Sequence, residues 1–539
     1  MPGIAQKLFL QRKKQPIKIS GKWPLLQRLV TEGSPLHLEL ALANDFVPEM
    51  PECVALFMCH LVLAAKQGHL CVSLENGAIR PCPVTLWSEI LSEQAQPLPS
   101  NLTELIVEGA NGFPIDVDES WPVLREGSRF YLRRYWNDES VIVEEFKRLV
   151  TVKPRITVNP PQLSSLNDEQ KAAVIHACSN SLTFVTGGPG TGKTYTAGCL
   201  VDAFGSAGEV IAAAPTGKAA SNLSERLGRA GIKAKTLHSL LGLNKKHGDS
   251  SVSLTADLII VDECSMIDAQ MMASLLRAVK TGARLVLLGD SDQLPSIEAG
   301  GIFADLAHAV PECCVCLQKC LRTESTSILN LAAEIRQGKM SLQSNEDIVI
   351  NPWPIQEKQL WNTLVNYCQP LFNLSMHDDP EKIFSRINQR RILTPLREGP
   401  WGVTSINERL VSSHHMKVIP IMVTVNDYSQ ELFNGDVGLL VDRSYALFKS
   451  GQTIRRVPVA TLPRYEYAFA LSVHKSQGSE FDHVMLLLPP RSEAFGREIL
   501  YTAVTRARKG VEIVSSTHML ETLLQRQMTR LSGIQQRLL

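Results

Sequence analysis

From residue 166 onward, short and nearly unbroken apolar runs alternate with longer stretches of helical periodicity. The runs at 182–186, 210–214, 258–262 and 285–289 lack the polar alternation of a half-wetted strand, so they predict strands buried on both faces. Such strands, joined through amphipathic helices, predict a parallel sheet covered on both sides. A second set, including 391–395, 469–473 and 483–488, predicts a second sheet of the same kind. Between 418 and 463 the pattern turns strand-rich, with Gly435, Gly438 and Gly451 as turn signals, which predicts a small β insertion. Ahead of all this, helix-like 54–66 and strand-like 69–74 and 128–132 predict a separate α+β domain over 1–150. Pro154, Pro160 and Pro161 mark a linker over 151–165. The expected order is then 166–340 for the first α/β domain, 341–417 for the start of a second, 418–463 for the insertion and 464–539 for the remainder of the second.

Composition narrows the class without naming it. At about 150 residues per domain, 539 residues make a multidomain chain. The richest apolar stretch, 54–65, falls short of the ~18 residues of a membrane span, and the basic N-terminus lacks the features of a secretory signal, so no membrane role and the cytoplasm are expected. Lys plus Arg number 55 against 54 Asp plus Glu, so bulk charge carries no argument for nucleic acid. The twelve cysteines are scattered and read as reduced thiols. Cys313, Cys314, Cys316 and Cys320 are spaced closely enough for a soft metal, but no second pair or histidine accompanies them; buried small side chains are the expected reading.

Chemistry enters at the end of the run 182–186. Gly187, Gly188, Pro189, Gly190, Thr191, Gly192, Lys193 and Thr194 follow that strand and open a helix, the context of a phosphate-binding loop. Glycines let backbone amides converge on phosphate oxygens, and the helix N-terminus adds partial positive charge. Lys193 is expected on the β and γ phosphates of ATP and Thr194 on magnesium. The run 258–262 ends in Asp262 and Glu263 beside that loop, one to hold magnesium and the other to polarise the attacking water. A carboxylate pair after a strand is commonly only a solvated turn; the upstream phosphate loop reverses that. Gln293, after the run 285–289, carries an amide that can donate to a phosphate and accept from water, although a polar turn explains it equally.

The ordered motifs GGPGTGKT, APTGKAA (214–220), TLHSLLG (236–242), VDECSM, GDSDQLPSIEAG, LTPLREGPWG, VHKSQGSEFDHV (473–484) and YTAVTRAR (501–508) resemble the B-type branch of superfamily 1 helicases. Within that branch LREGPWG and NGDVG (434–438) are similar to the RecD family, over about 166–515. The resemblance implies two RecA-like P-loop motor domains with an SH3-like insertion, driven by ATP and Mg2+ in the 5′ to 3′ direction. It implies that Arg322 and Arg506 approach the γ phosphate, that Gly478 and Glu480 line the nucleotide cleft, and that Gln170 reads the adenine edge. Pro215, Thr216, His238, Thr394, His474 and Ser476 resemble positions facing single-stranded DNA. GHLCV (68–72) and FYLRRYW (130–136) are similar to the RecD form found in the RecBCD exonuclease V complex, which implies RecB-like and RecC-like partners, action at DNA ends in double-strand break repair and recombination, and cleavage by a partner subunit. A stand-alone helicase and an ATP switch without processive movement remain as alternatives.

Overall fold

The four apolar runs of 166–340 become neighbours in one six-stranded sheet, ordered Cys314–Leu317, Leu182–Gly187, Arg284–Gly289, Leu258–Val261, Val210–Ala214 and Lys235–Thr236, with every pairing parallel. Ile259, Ile260, Leu285 and Leu287 are fully buried, as strands covered on both faces require. The computed structural model describes residues 23–29, 36–91, 98–115, 121–158, 164–205, 207–228, 231–243, 252–320, 325–340, 343–354, 356–374, 379–427, 429–450 and 453–538. The cysteine-rich segment forms the edge strand beside the phosphate loop, where the Cys314 thiol donates to the Ala307 carbonyl at 3.1 Å; against expectation only Cys313 is buried, Cys314 and Cys320 being half-buried and Cys316 exposed, because an edge strand is covered on one side only.

A second, five-stranded parallel sheet runs Ile348–Pro352, Ala507–Ser515, Phe481–Leu487, Arg390–Thr394 and Ala470–Ser472. Two parallel sheets, the first with a phosphate loop, make this an α/β P-loop motor fold. Inserted within the second sheet, between its strands Arg390–Thr394 and Ala470–Ser472, lies an antiparallel sheet ordered Thr453–Pro458, Tyr445–Ser450, Val437–Val441, Val418–Val423 and Tyr465–Tyr467. Its last strand lies beyond 463 because Val418–Val423, buried throughout, needs a partner on each edge.

Buried arginines fasten these layers. The Arg284 guanidinium, 2% exposed, donates to the carbonyls of Ile156, Ala177 and Cys178 at 2.6, 3.1 and 2.7 Å. It thereby satisfies orphan carbonyls at the end of helix Asp168–Ser179 and pins the preceding linker to the sheet. Arg391 does likewise in the second sheet with the carbonyls of Ala468 and Ile387, its guanidinium 4.9 Å from the Phe481 ring centre.

The N-terminal part has its own core around helix Glu52–Lys66 and a four-stranded antiparallel sheet. It is not, however, separate from the motor. Ile142, Phe146 and Leu149 of helix Arg133–Thr151 join one core with Met272 and Leu276, and Arg148 donates to the Leu276 and Val279 carbonyls at 3.2 and 2.8 Å. The reason lies in the helix itself: its apolar stripe is too large for the small sheet beside it and must be covered by the first motor domain.

Residues 526–538 also depart from expectation. They leave the second sheet and run back over the other two bodies. Arg526 pairs with Glu89 at 2.5 Å, the Leu70 N–H donates to the Leu531 carbonyl at 2.8 Å, and the Gly533 N–H donates to the fully buried Glu139 at 3.0 Å. Helix Ile534–Leu538 then packs on helices Ile302–Ala309 and Arg133–Thr151.

The Ser532 hydroxyl donates to Asp305 at 2.6 Å, yet burial pushes that carboxyl up to about 6. A folded-state value above the unfolded ~3.9 favours the fold while the group is protonated, so this contribution is complete below pH ~4 and is lost as pH rises through about 6. Asp305→Asn is therefore expected to be more stable than the parent by up to about 3 kcal/mol at pH 7.5 and close to it near pH 4. Urea denaturation at the two pH values measures this; a parent more stable at pH 7.5 contradicts it.

Candidate active site

The phosphate loop owes its path to two glycines. Gly192 precedes helix Lys193–Phe204 at φ 86°, a left-handed conformation that disfavours any side chain, and a Cβ on Gly187 would lie 2.6 Å from the Leu317 carbonyl of the edge strand. Lys193, first in the helix, folds its ammonium over the loop and donates to the carbonyls of Gly187 and Gly188 at 2.6 and 3.1 Å. The Thr191 hydroxyl donates to the Gly188 carbonyl at 2.8 Å and so closes the turn.

Thr194 and Asp262 meet across the sheet top, the hydroxyl donating to the carboxylate at 2.9 Å. The other Asp262 oxygen accepts the Glu263 N–H at 2.8 Å. Glu263 itself sits at φ 56°, ψ 41°, a conformation that costs a non-glycine residue about 1–3 kcal/mol and is here held by the buried strand before it. Burial in the cleft raises its carboxyl above the usual range, helped by Asp262 and opposed by Arg506 and Lys193.

Asp290 ends the neighbouring strand and is 3% exposed. Burial raises its carboxyl too, with Lys193 opposing, and the group accepts from the Gln293 amide at 3.1 Å, the Tyr501 hydroxyl at 3.0 Å and the Asp292 N–H at 3.1 Å. Gln293 is anchored by that bond, while its Oε1 is buried with no hydrogen-bond partner among the described residues.

The second lobe closes the other side. Arg506, 4% exposed, donates to the Thr502 and Ser479 carbonyls at 3.2 and 3.3 Å, and the Asn222 amide donates across the cleft to the Gly478 carbonyl at 2.9 Å. Two further bonds grip the loop after Asp290: the Leu294 N–H donates to the Thr502 hydroxyl at 2.9 Å, and the Gln477 amide donates to the Leu294 carbonyl at 2.8 Å. A cavity of about 560 Å³ results, and Lys193, Thr194, Asp262, Glu263, Gln293, Gly478, Glu480 and Arg506 all line it.

Other expected residues lie elsewhere. Gln170 does not line the cavity. It is 2% exposed, its Oε1 accepts the Asn167 N–H at 3.2 Å in a capping box, and its amide donates to the Thr191 carbonyl at 3.3 Å, so it braces the loop from behind. Thr394 and Ser476 do not face solvent: both are fully buried, their hydroxyls donating to the carbonyls of Trp401 and Val473 at 3.3 and 2.7 Å. Buried hydroxyls at strand and turn ends must find backbone partners, and these two have done so. Thr216 caps helix Gly217–Leu227 by accepting the Ala219 N–H at 3.2 Å, Pro215 and His474 are half-buried, and His238 is exposed. Arg322 lies outside the described residues.

Two contributors escaped the sequence reading. Lys218 lines the cavity, its ammonium made less basic by burial and supported by Asp436, which immediately precedes the strand Val437–Val441. Tyr501 reaches Asp290 from the opposite lobe. Both sit inside quoted motifs, APTGKAA and YTAVTRAR; only the meeting of the lobes reveals what they touch.

A phosphate loop on one parallel sheet, faced by an arginine from a second, defines a P-loop motor of the superfamily 1 helicase class. Residues 165–348 match the model of an AAA domain, and residues 467–514 that of a UvrD-like helicase C-terminal domain. The chain is 35% identical to the RecBCD enzyme subunit RecD of Mycolicibacterium smegmatis, over 77% of this chain and 84% of that one. It is 32% identical to the RecBCD enzyme subunit RecD of Mycobacterium tuberculosis, over 91% and 92%. The ATP-dependent RecD2 DNA helicase of Deinococcus radiodurans is 31% identical but matches 64% of this chain and only 48% of its own length. The chain belongs to the RecD family of ATP-dependent DNA helicases.

Tyr501→Phe removes a donor from buried Asp290 without changing shape. A loss of about 1.5–3 kcal/mol in unfolding free energy is expected, the range for a hydrogen bond to a charged group; a loss near zero in urea titration would show the bond to be idle.

Proposed function

We propose that the chain is the ATP-driven motor subunit of a RecBCD-type complex, moving 5′ to 3′ on one strand of a DNA end in double-strand break repair and recombination, with cleavage carried by a partner. The observation that carries this reading is the convergence of Lys193, Glu263 and Arg506 on one cavity from two lobes. Its partners would be RecB-like and RecC-like subunits, met through the part spanning 1–150, and the antiparallel sheet would serve as an SH3-like insertion. The extent of the match favours a complex subunit over a stand-alone helicase, since the RecD subunits are covered nearly end to end and RecD2 by half. The expected site of action is the cytoplasm, where such a complex would meet DNA. Among the described residues no helix is long and apolar enough to cross a membrane.

The residues present fit magnesium and ATP. Thr194 and Asp262 are hard oxygen donors in contact, the glycine loop offers backbone amides, and the buried Gln293 Oε1 lacks a partner among the described residues. Bound magnesium-ATP supplies the phosphoanhydride whose hydrolysis drives the motor. Lys193 would hold the β and γ phosphates. Glu263, its proton affinity raised by burial, is suited to take a proton from water, and Gln293, held by Asp290, would orient that water. Arg506 would stabilise charge on the transferred group from the far lobe, so a closed arrangement would differ from an open one in real contacts.

Strand displacement on substrates with 5′ or 3′ tails tests the proposal. The wild type should unwind from the 5′ tail, Lys193→Gln should not unwind at all, and Arg506→Lys should lower ATP turnover on the order of 10³-fold. Unwinding by Lys193→Gln would end the motor assignment; unwinding from 3′ tails alone would end the polarity.

A further inference from the structure

Helix Gly217–Leu227 forms one wall of the nucleotide cavity, and Lys218, Asn222 and Arg226 line it at intervals of four residues. That spacing puts the three side chains on one helix face, in a stripe about 12 Å long at 1.5 Å per residue. The stripe starts beside the hydrolysis machinery. A Cβ on Gly478 would lie 3.8 Å from the Ala219 Cβ and 3.9 Å from Glu263 Oε1, so the start of the helix and the Glu263 carboxylate flank the same point of the second lobe.

The two cations of the stripe have no acceptor. Among the described residues neither Lys218 nor Arg226 makes a hydrogen bond or an ion pair, whereas Lys193 is bonded to the Gly187 and Gly188 carbonyls, Arg506 to those of Thr502 and Ser479, and Arg508 to Glu480. Lys218 is half-buried, and an ammonium withdrawn from water is costly unless an anion comes to it. It stands outside the group gathered on the reacting phosphate: the charges that act on it are Asp436 and Arg391, while those that act on Glu263 are Asp262, Arg506, Lys193 and Asp290. The antiparallel sheet fixes this position. Its turn at 433–436 sits on the helix start, where a Cβ on Gly217 would lie 2.2 Å from the Phe433 Cβ, and the Phe433 N–H donates to Asp436 at 2.8 Å.

We propose that this stripe is a second phosphate site, which receives the inorganic phosphate released by hydrolysis while the nucleotide is still bound, and that Lys218 and Arg226 hold it there. The proposal rests on the ATP-hydrolysis reading. Hydrolysis leaves two anions, ADP and phosphate, in one cavity where Lys193, Thr194 and the loop amides serve the nucleotide. Their mutual repulsion drives the smaller anion toward cations that lack acceptors, and the stripe supplies them. Glu225 is the one carboxylate on this helix wall, and the two cations outweigh it. The Asn222 amide, donating to the Gly478 carbonyl at 2.9 Å, ties the second lobe over the middle of the stripe; opening of the lobes would free it as a further donor to the phosphate. A nucleic-acid backbone would also satisfy the cations, but it would have to enter the cavity that holds Lys193 and Glu263, whereas phosphate is made inside it.

The test uses the full-length chain loaded with ADP–beryllium fluoride, which fills the γ-phosphate position and leaves the stripe open to added inorganic phosphate. Equilibrium dialysis with radiolabelled phosphate should show one further equivalent bound. Lys218→Met and Arg226→Gln should each weaken that binding about tenfold, the effect of one charge-assisted hydrogen bond, and Lys218→Arg should retain it. Arg226 is exposed, so its variant keeps the fold even where Lys218→Met does not. A loaded wild type that takes up no phosphate, or an Arg226→Gln or folded Lys218→Met chain that binds it as the wild type does, overturns the site and leaves the motor intact. A Lys218→Met chain that keeps its phosphate affinity and loses affinity for oligothymidylate overturns it in favour of a strand contact. A wild type that neither binds ADP–beryllium fluoride nor hydrolyses ATP overturns the motor reading and this proposal together.

Discussion

Carboxylates gathered at the tops of two adjacent strands are the constraint on which the cleft depends. Asp290 is buried, and Asp262 and Glu263 are half-buried beside it. Withdrawing such groups from water is costly unless cations and donors surround them. The first lobe supplies Lys193, Thr194 and the Asp292 N–H; the second supplies Arg506 and the Tyr501 hydroxyl. Neither lobe can satisfy the set alone. The active cleft is therefore an interface by electrostatic necessity, and any change in charge within it, such as loss of a phosphate, alters how strongly the lobes hold one another.

The rest of the chain solves a related problem with the opposite sign. Helix ends leave carbonyls without partners, and guanidinium groups satisfy them: buried Arg284 at the end of helix Asp168–Ser179, and half-buried Arg148 at the end of helix Ala269–Ala278. In each case the arginine or one of its acceptors lies outside the sheet it serves, so the linker and the N-terminal part are bonded to the motor through the same groups. Glu139 completes the scheme. Fully buried, it accepts from Tyr131, Gly533 and Arg537, which fixes the C-terminal segment to a helix far away in sequence.

What the sequence reveals, and what it hides, follows from how local each signal is. Leu258–Val261 was legible because a strand buried on both faces has no polar alternation, and the phosphate loop because its glycines act within eight residues. The edge strand Cys314–Leu317 is short and unevenly buried, so it has neither pattern. Residues 526–538 carry no periodicity because they are held by single side chains and backbone groups of other elements. Thr394 and Ser476 mark another limit. A motif gives the residue type, but the direction of a hydroxyl depends on which carbonyl lacks a partner, and here the carbonyls of Trp401 and Val473 decide it. Lys218 and Tyr501 were hidden in the opposite way: visible as letters, they gain meaning only from the facing lobe.

Residues 290–300 join these regions in one short loop. At its start Gln293 lines the nucleotide cavity and is held by buried Asp290, and Leu294 is bonded on both backbone sides to the second lobe. Ile297 then projects into a groove of about 900 Å³ where the N-terminal part, the second lobe and the C-terminal segment meet, and Glu298 and Gly300 are bonded to Arg530 and Gly68. The Ser296 hydroxyl bridges to the Glu298 and Gly300 carbonyls at 3.0 and 3.3 Å, which stiffens the turn between the two attachments. A loop held at both ends and braced in the middle has little freedom to absorb a shift by bending. A rearrangement of the second lobe around the nucleotide must therefore either break the Leu294 bonds or carry Ile297 along the groove. The first would leave buried backbone groups unsatisfied at about 1–3 kcal/mol each, which makes the second the easier motion. Contiguous hydrogen bonds of this kind are how a displacement at one end of the loop reaches the other.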